Sequence, residues 1–194
     1  MIEKRMEQKY LMNRAKCSKF LLDNKKQLMQ IYEEREVKSL YFDTDDFNLY
    51  FDSLNKDYDK FKIRFRTYNN SDVISKEIKF SANTGKYKIT KPTSYKSLNS
   101  IPNFYYRNIR LQPSLEVKYK RNYYEFRGNR LTVDSNILFS KPKNDNLQYE
   151  LQDLYVFELK NLDESKNQFF STNPIFHSVK FSKYEEGIKK IYKF

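Results

Sequence analysis

In the segment Lys60-Phe61-Lys62-Ile63-Arg64-Phe65-Arg66, four cations alternate with three large apolar residues. Side chains two apart project from the same face of a pleated strand, so this run reads as a strand with one charged face and one apolar face. The alternation recurs along the chain. Glu77 and Lys79 oppose Ile78 and Phe80; Lys86 and Lys88 oppose Tyr87 and Ile89; Arg130, Thr132 and Asp134 oppose Leu131 and Val133; Glu158 and Lys160 oppose Phe157 and Leu159. An ordinary antiparallel sheet with one wet face accounts for any single strand of this kind. Recurrence changes the reading, because cations repeated across a ladder repel unless an anion or interspersed carboxylates lie between them. The pattern therefore predicts an α+β chain built on an antiparallel β-barrel, with charged faces turned inward around a polyanion and apolar outer faces covered by helices. Near 114 to 121 parity leaves two answers open: Arg121 goes with Val117 and Tyr119, while Lys118 and Lys120 fall opposite.

Charge supports the polyanion. Lys and Arg number 37 against 25 Asp and Glu, a formal net charge of +12, which suits nucleic acid, anionic lipid or oligophosphate. The 17 Tyr and 16 Phe favour half-buried strands. One cysteine, Cys17, cannot close an internal disulfide and reads as a packed thiol in a reducing, cytoplasmic setting. One histidine, His177, cannot supply a zinc cluster and reads as a loop or packing residue rather than a base. None of the three glycines sits in a Gly-rich run before Lys-Ser/Thr, so phosphate must be held by side chains. No apolar run approaches bilayer-spanning length, and 194 residues suit a single domain over 1–194.

The spacing predicts a strand over Arg5 to Leu11 and a helix over Asn13 to Gln30 that includes Leu28 and Met29. Further strands are expected near 38 to 43, 59 to 68, 73 to 80, 86 to 91, 114 to 121, 130 to 134 and 152 to 160. Pro92, Pro102 and Pro113 mark 92 to 113 as an irregular or partly helical excursion, and 140 to 149 reads as a polar loop. Ser182-Lys183-Tyr184-Glu185 has the spacing of a capping box, so a last helix should start there and run toward Tyr192.

Taken in order, several of these segments resemble the VTC domain, the polyphosphate-polymerase branch of the triphosphate tunnel metalloenzymes. They are Arg5-Met6-Glu7-Gln8-Lys9-Tyr10, Ser39-Leu40-Tyr41-Phe42-Asp43-Thr44, Lys62-Ile63-Arg64-Phe65-Arg66, Glu77-Ile78-Lys79, Tyr119-Lys120-Arg121, Arg130-Leu131-Thr132-Val133-Asp134, Glu158-Leu159-Lys160 and Lys180-Phe181-Ser182-Lys183-Tyr184. The resemblance implies a tunnel that binds triphosphate and polyphosphate, with a divalent metal (Mn or Mg) and transfer of the ATP γ-phosphate onto the growing polymer. It implies catalytic roles for Arg64, Arg66, Lys79, Arg130 and Lys183, and phosphate contacts for Lys9, Lys62, Lys88, Arg121, Lys160, Lys180 and Ser182. Glu158, with Glu7 beside it in the candidate set, would hold the metal. Such chemistry needs in-line positioning and neutralised phosphate oxygens rather than a side-chain nucleophile.

Two departures matter. Arg5 stands where hydrolytic tunnel enzymes carry the first Glu of Glu-x-Glu-x-Lys, which argues against a two-metal triphosphatase, and Ile89 and Thr90 separate Lys88 from Lys91. Bland roles are open at three positions: Asp43 as a strand terminator, Glu7 as a partner of Lys9 or Arg66, and Ser182 as a helix cap. Three functions follow: a polyphosphate polymerase, a tunnel triphosphatase, and a noncatalytic module binding polyphosphate or nucleic acid. Glu77 and Glu158 on the cationic faces disfavour nucleic acid, whose backbone they would repel. A separate membrane partner that would bring the chain to the inner face of a membrane fits this reading, and the sequence leaves oligomeric state open.

Overall fold

The computed structural model describes residues 6–55, 59–69, 71–82, 85–161 and 176–194; Arg5 and the side chain of Lys86 lie outside the described residues. In chain order the elements are β1 Met6–Met12, α1 Arg14–Asp23, β2 Leu28–Asp43, α2 Asn48–Leu54, β3 Lys60–Tyr68, β4 Ser75–Ala82 and β5 Gly85–Pro92. A 3-10 turn at Leu98–Ser100 follows, then β6 Phe104–Tyr106, β7 Ile109–Phe126, β8 Asn129–Lys141, β9 Asn144–Leu151, β10 Tyr155–Asn161 and α3 Lys183–Tyr192. The hydrogen-bonded order is β1-β10-β8-β7-β2-β3-β4-β5, with β6 beside β7 and β9 beside β8. The chain is α+β, and its ladders β1–β10, β10–β8, β2–β3, β3–β4, β4–β5 and β6–β7 are antiparallel, as the alternation predicts.

The residues group into two compact units. The first takes Met1–Arg35, Tyr119–Ile137 and Leu151–Phe181, the second Glu36–Lys118, Leu138–Glu150 and Ser182–Phe194, and β2, β7 and β8 each contribute to both. In the first unit Tyr10, Leu131, Val133, Phe157 and Leu159 form an apolar core with Phe126 and Phe176, and α1 covers it with Cys17 and Phe20. Cys17 is the packed thiol that was expected, with burial pushing it up to about 11. In the second unit Leu40, Phe42, Ile63, Phe65, Ile78 and Phe80 make the apolar face. Residues of the Pro-punctuated excursion, Ile101, Phe104 and Leu111, cover it, so that segment is a core-forming flap with a short hairpin.

Three expectations change. The helix at Asn13 ends at Asp23, not Gln30: Asn24 turns its backbone N–H and its side-chain amide onto the Phe20 carbonyl, and Leu28 and Met29 open β2 instead. Residues 140 to 149 are largely strand, because Pro142 and Lys143, the latter at φ 60°, make a two-residue turn that pairs β9 with β8. The last helix does not cover an apolar outer face; Ser182 at its start bonds Lys62 on the charged face of β3. There Gly187 is obligatory, since a Cβ would lie 2.5 Å from Leu115 and 2.8 Å from Phe139. The turn from β7 to β8 has positive φ at both Arg127 and Gly128, the backbone a type I′ hairpin demands.

Candidate functional site

In the second unit the register stacks Ser39, Arg66 and Ser75 in one row, Tyr41, Arg64 and Glu77 in the next, and Lys62, Lys79 and Lys88 in a third. Strand parity thus puts every charged side chain of Lys60–Tyr68 beyond the first turn on a single face, opposite Ile63 and Phe65. Glu77 is its hub. Its carboxylate accepts from Arg64 Nε at 2.8 Å and lies 2.6 Å from Arg64 Nη2, 3.9 Å from Arg66 Nη1 and 3.3 Å from Lys88 Nζ. Burial opposes its ionisation, but Arg64, Arg66 and Lys88 prevail and bring it down to about 2. Lys62 donates to Glu185 at 2.6 Å and to the Ser182 hydroxyl at 3.0 Å; burial lowers the ammonium even so. Six cations (Lys62, Arg64, Arg66, Lys79, Lys88, Lys183) therefore meet three carboxylates, Glu77, Glu185 and Asp43, across this strand face and the start of α3.

Two tyrosines complete it. Tyr41 and Tyr184 stack with ring centroids 5.1 Å apart. Arg64 Nη1 donates to the Tyr41 oxygen at 2.7 Å, whereas the Tyr184 hydroxyl donates to Asp43. Asp43 also accepts from the backbone N–H groups of Thr44, Leu49 and Tyr50, so it ends β2 and caps α2. The bland reading of Asp43 is the observed one. Ser182 likewise caps α3, accepting the Glu185 N–H at 3.4 Å, while the Glu185 carboxylate turns to Lys62 instead of back to the cap.

In the first unit Glu7 and Lys9 on β1 stand opposite Lys160 and Glu158 on β10, which stand opposite Arg130 and Thr132 on β8. Lys160 pairs with Glu158 at 3.0 Å, and Glu7 lies 3.7 Å from Lys9. Lys9 Nζ also donates to the Phe181 carbonyl at 2.8 Å, tying β1 to the chain that carries Lys180. Arg121 donates to both carboxylate oxygens of the fully buried Asp134, at 2.5 and 2.7 Å. That settles the open parity: Arg121 lies with the charged row of β8, while Lys120 pairs with Glu34 and, in the second unit, Lys118 pairs with Glu36. Burial works against a charged Glu158, yet Lys160, Arg121 and Lys9 hold its carboxyl well below the usual range. Beside it in the register, the buried Thr132 hydroxyl has no hydrogen-bond partner. A hydroxyl and a carboxylate side by side are the oxygen donors that a hard divalent cation takes. Among the described residues no group of three or more His, Cys, Asp and Glu side chains could hold a metal ion.

Of the predicted site residues, Lys62, Arg64, Arg66, Lys79, Lys88, Ser182 and Lys183 fall in the second unit, and Glu7, Lys9, Arg121, Arg130, Glu158, Lys160 and Lys180 in the first. Arg130, Lys79, Lys88 and Lys180 are exposed, and Arg66 and Glu158 are buried. His177 is exposed. Sequence reasoning missed Tyr41, Tyr184 and Glu185 as members of these faces, and it placed Thr132 on the charged face without giving it a role. Parity with Asp43 and Ser39 on β2 was the available signal for Tyr41.

The sequence profile of the VTC domain family matches residues 4–103 and 87–192. No match was found among curated proteins. Among solved structures, a candidate adenylate cyclase from Vibrio parahaemolyticus superposes with a TM-score of 0.55 at 14% identity, covering 96% of this chain and 98% of that one. A candidate adenylyl cyclase from Hippeastrum with a dominant triphosphatase activity gives 0.51 at 10% identity over 86% and 84%. A Pyrococcus horikoshii protein gives 0.51 at 14% identity over 92% and 93%. At these identities the likeness is one of fold.

Proposed function

We propose, from the premise that this chain belongs to the VTC domain family, that it is a metal-dependent polyphosphate polymerase that transfers the γ-phosphate of ATP onto a growing polyphosphate chain. The observation that carries the reading is the charge of the second unit's face, where six cations meet three carboxylates, Glu77, Glu185 and Asp43. Such an excess on one sheet face costs repulsion that a bound oligophosphate relieves. Arg64 and Arg66 offer planar donors, and Lys62, Lys79, Lys88 and Lys183 supply point charges, the division of labour that phosphoryl transfer uses. In the first unit Lys9, Arg121, Arg130, Lys160 and Lys180 serve phosphate oxygens in the same way, and Ser182 adds a hydroxyl in the second.

Glu158 would be the protein ligand for a divalent cation, Mn²⁺ or Mg²⁺, with Glu7 as a second carboxylate. The buried hydroxyl of Thr132 fits an oxygen shell there. When bound, such a cation would supply neutralisation of phosphate charge.

Incubating the purified chain with ATP and Mn²⁺ and separating the products tests this. Long polymer together with ADP is expected. Free phosphate alone would replace the polymerase with a triphosphatase, and neither product would leave a noncatalytic polyphosphate-binding module.

A further inference from the structure

The second unit holds two stacked phenols with opposite surroundings. Tyr184 gives its proton to the Asp43 carboxylate, and burial together with Asp43 pushes that phenol well above its ordinary range. Among the described residues no carboxylate bonds Tyr41: its oxygen accepts from Arg64 at 2.7 Å, no acceptor meets its own O–H, and the side chain is 5% exposed. The described groups that face it are cations or neutral. From β3 come Arg64 and Arg66, and Lys62 lies over the Tyr184 ring at 5.5 Å; from α3 come Lys183 and the Tyr184 ring; on β2 itself there is Ser39, which holds Arg66 at 2.9 Å. The carboxylates near this row are spoken for: Glu77 on β4 by Arg64, Glu185 on α3 by Lys62, and Asp43 by Tyr184 and the N–H groups of α2.

A buried hydroxyl with an unused proton, beside two guanidinium groups, fits one ligand chemistry, an anionic oxygen that accepts from all of them. We propose that Tyr41 donates a hydrogen bond to a phosphate oxygen on this face and that triphosphate affinity is switched by the proton on this one phenol. The inference rests on the phosphate-binding reading above and names a donor and a regulation within it. With the proton in place, O–H serves the phosphate oxygen while Arg64 bonds the phenol oxygen from the other side. When the proton leaves for solvent, the phenolate becomes the anion that Arg64 and Arg66 hold, and it repels phosphate from the same spot.

The transition falls in a usable range. Burial alone would raise the Tyr41 phenol, but Arg64, Arg66 and Lys183 outweigh it and bring it down to about 8. Bound phosphate should move it back up, since ligand and phenolate compete for the same guanidinium groups.

The test compares wild type and Y41F by calorimetric titration with inorganic triphosphate, without metal, from about pH 6.5 to about pH 9.5. Taking the ratio of the two dissociation constants at each pH removes the titration of triphosphate itself. The expected ratio is about tenfold in favour of wild type at the acid end, the worth of one charge-assisted bond, falling to one or below at the alkaline end. A ratio that is constant with pH, or equal to one at the acid end, overturns the inference. Failure of wild type to bind triphosphate at any pH removes the phosphate-binding reading and this inference with it. An ultraviolet-difference titration of the wild type gives an answer that needs no variant. The earliest tyrosinate step should move to higher pH when triphosphate is added, and an unmoved step contradicts the proposal.

Discussion

Each unit centres its charged face on one buried strand carboxylate, Glu77 in the second and Glu158 in the first, yet the two are held differently. Glu77 has both oxygens engaged, by Arg64 on one and Lys88 on the other, with Arg66 close behind. Among the described residues Glu158 pairs directly with Lys160, a residue 35% exposed at its side chain, while Arg121 and Lys9 act on it from further off. Its register neighbour on β8 is an unpartnered hydroxyl, where the equivalent neighbour of Glu77 on β3 is Arg64. The surrounding charge is similar in balance: five cations (Lys9, Arg121, Arg130, Lys160, Lys180) go with three carboxylates (Glu7, Asp134, Glu158) in the first unit, and six with three (Glu77, Glu185, Asp43) in the second. A carboxylate with both oxygens engaged orders the arginines around it, whereas the one held by a single partly exposed lysine is the one proposed for a metal ion. Burial and a lowered pKa are common to both and do not separate them; the number of engaged oxygens does.

Several substitutions sharpen or break the contrast. The largest effect is expected from E158Q, which keeps the size and removes the charge a divalent ion needs. Polymer synthesis from ATP should fall roughly a hundredfold or more, since metal neutralisation is worth several kcal/mol, while triphosphate still binds without metal. Synthesis at the wild-type rate would remove Glu158 from the metal.

E77Q should instead lose stability, about 3 kcal/mol at neutral pH, the lower end for an orphaned buried partner because Arg64 and Lys88 are partly solvated. The sign with pH follows from Glu77 being held at about 2 when folded, below an unfolded carboxyl. Its contribution is fully present above the ordinary carboxylate range and fades as pH falls toward about 2. Melting curves of wild type and E77Q should therefore converge on acidification; a gap that stays constant contradicts the hub assignment.

R64A is expected to weaken triphosphate binding by about tenfold to a hundredfold, through charge-assisted bonds of roughly 1.5 to 3 kcal/mol. Unchanged affinity would move the phosphate site off this row. The smallest effect belongs to S182A, about 1 kcal/mol of stability from the lost cap of α3, measurable by chemical denaturation. A loss of triphosphate affinity at unchanged stability would show instead that the hydroxyl serves phosphate.

The strands that place both carboxylates were legible wherever one face is buried, because Ile63 and Phe65, or Phe157 and Leu159, impose the period of two. The first half of β2 was not. Its residues from Met29 to Glu34 are all exposed, so no apolar face marks the period, and Leu28 and Met29 were taken into a helix. β9 failed to show for the same reason, with Asn146 to Glu150 exposed on both faces. In the candidate site, charged members announced themselves through alternation, which also carried Thr132 along, whereas Tyr41 and Tyr184 look like ordinary strand or helix residues until the fold sets them beside Arg64 and Asp43. The choice of Glu158 over Glu77 came from family resemblance, because parity treats them alike.

The measurement closest to the central claim is Mn²⁺ binding in the presence of inorganic triphosphate, followed by electron paramagnetic resonance of the free ion, for wild type, E158Q and E77Q at a temperature where all three remain folded. The account predicts that wild type and E77Q take up the ion and E158Q leaves it free in solution. Uptake by E158Q with loss in E77Q would reverse the assignment of the two carboxylates.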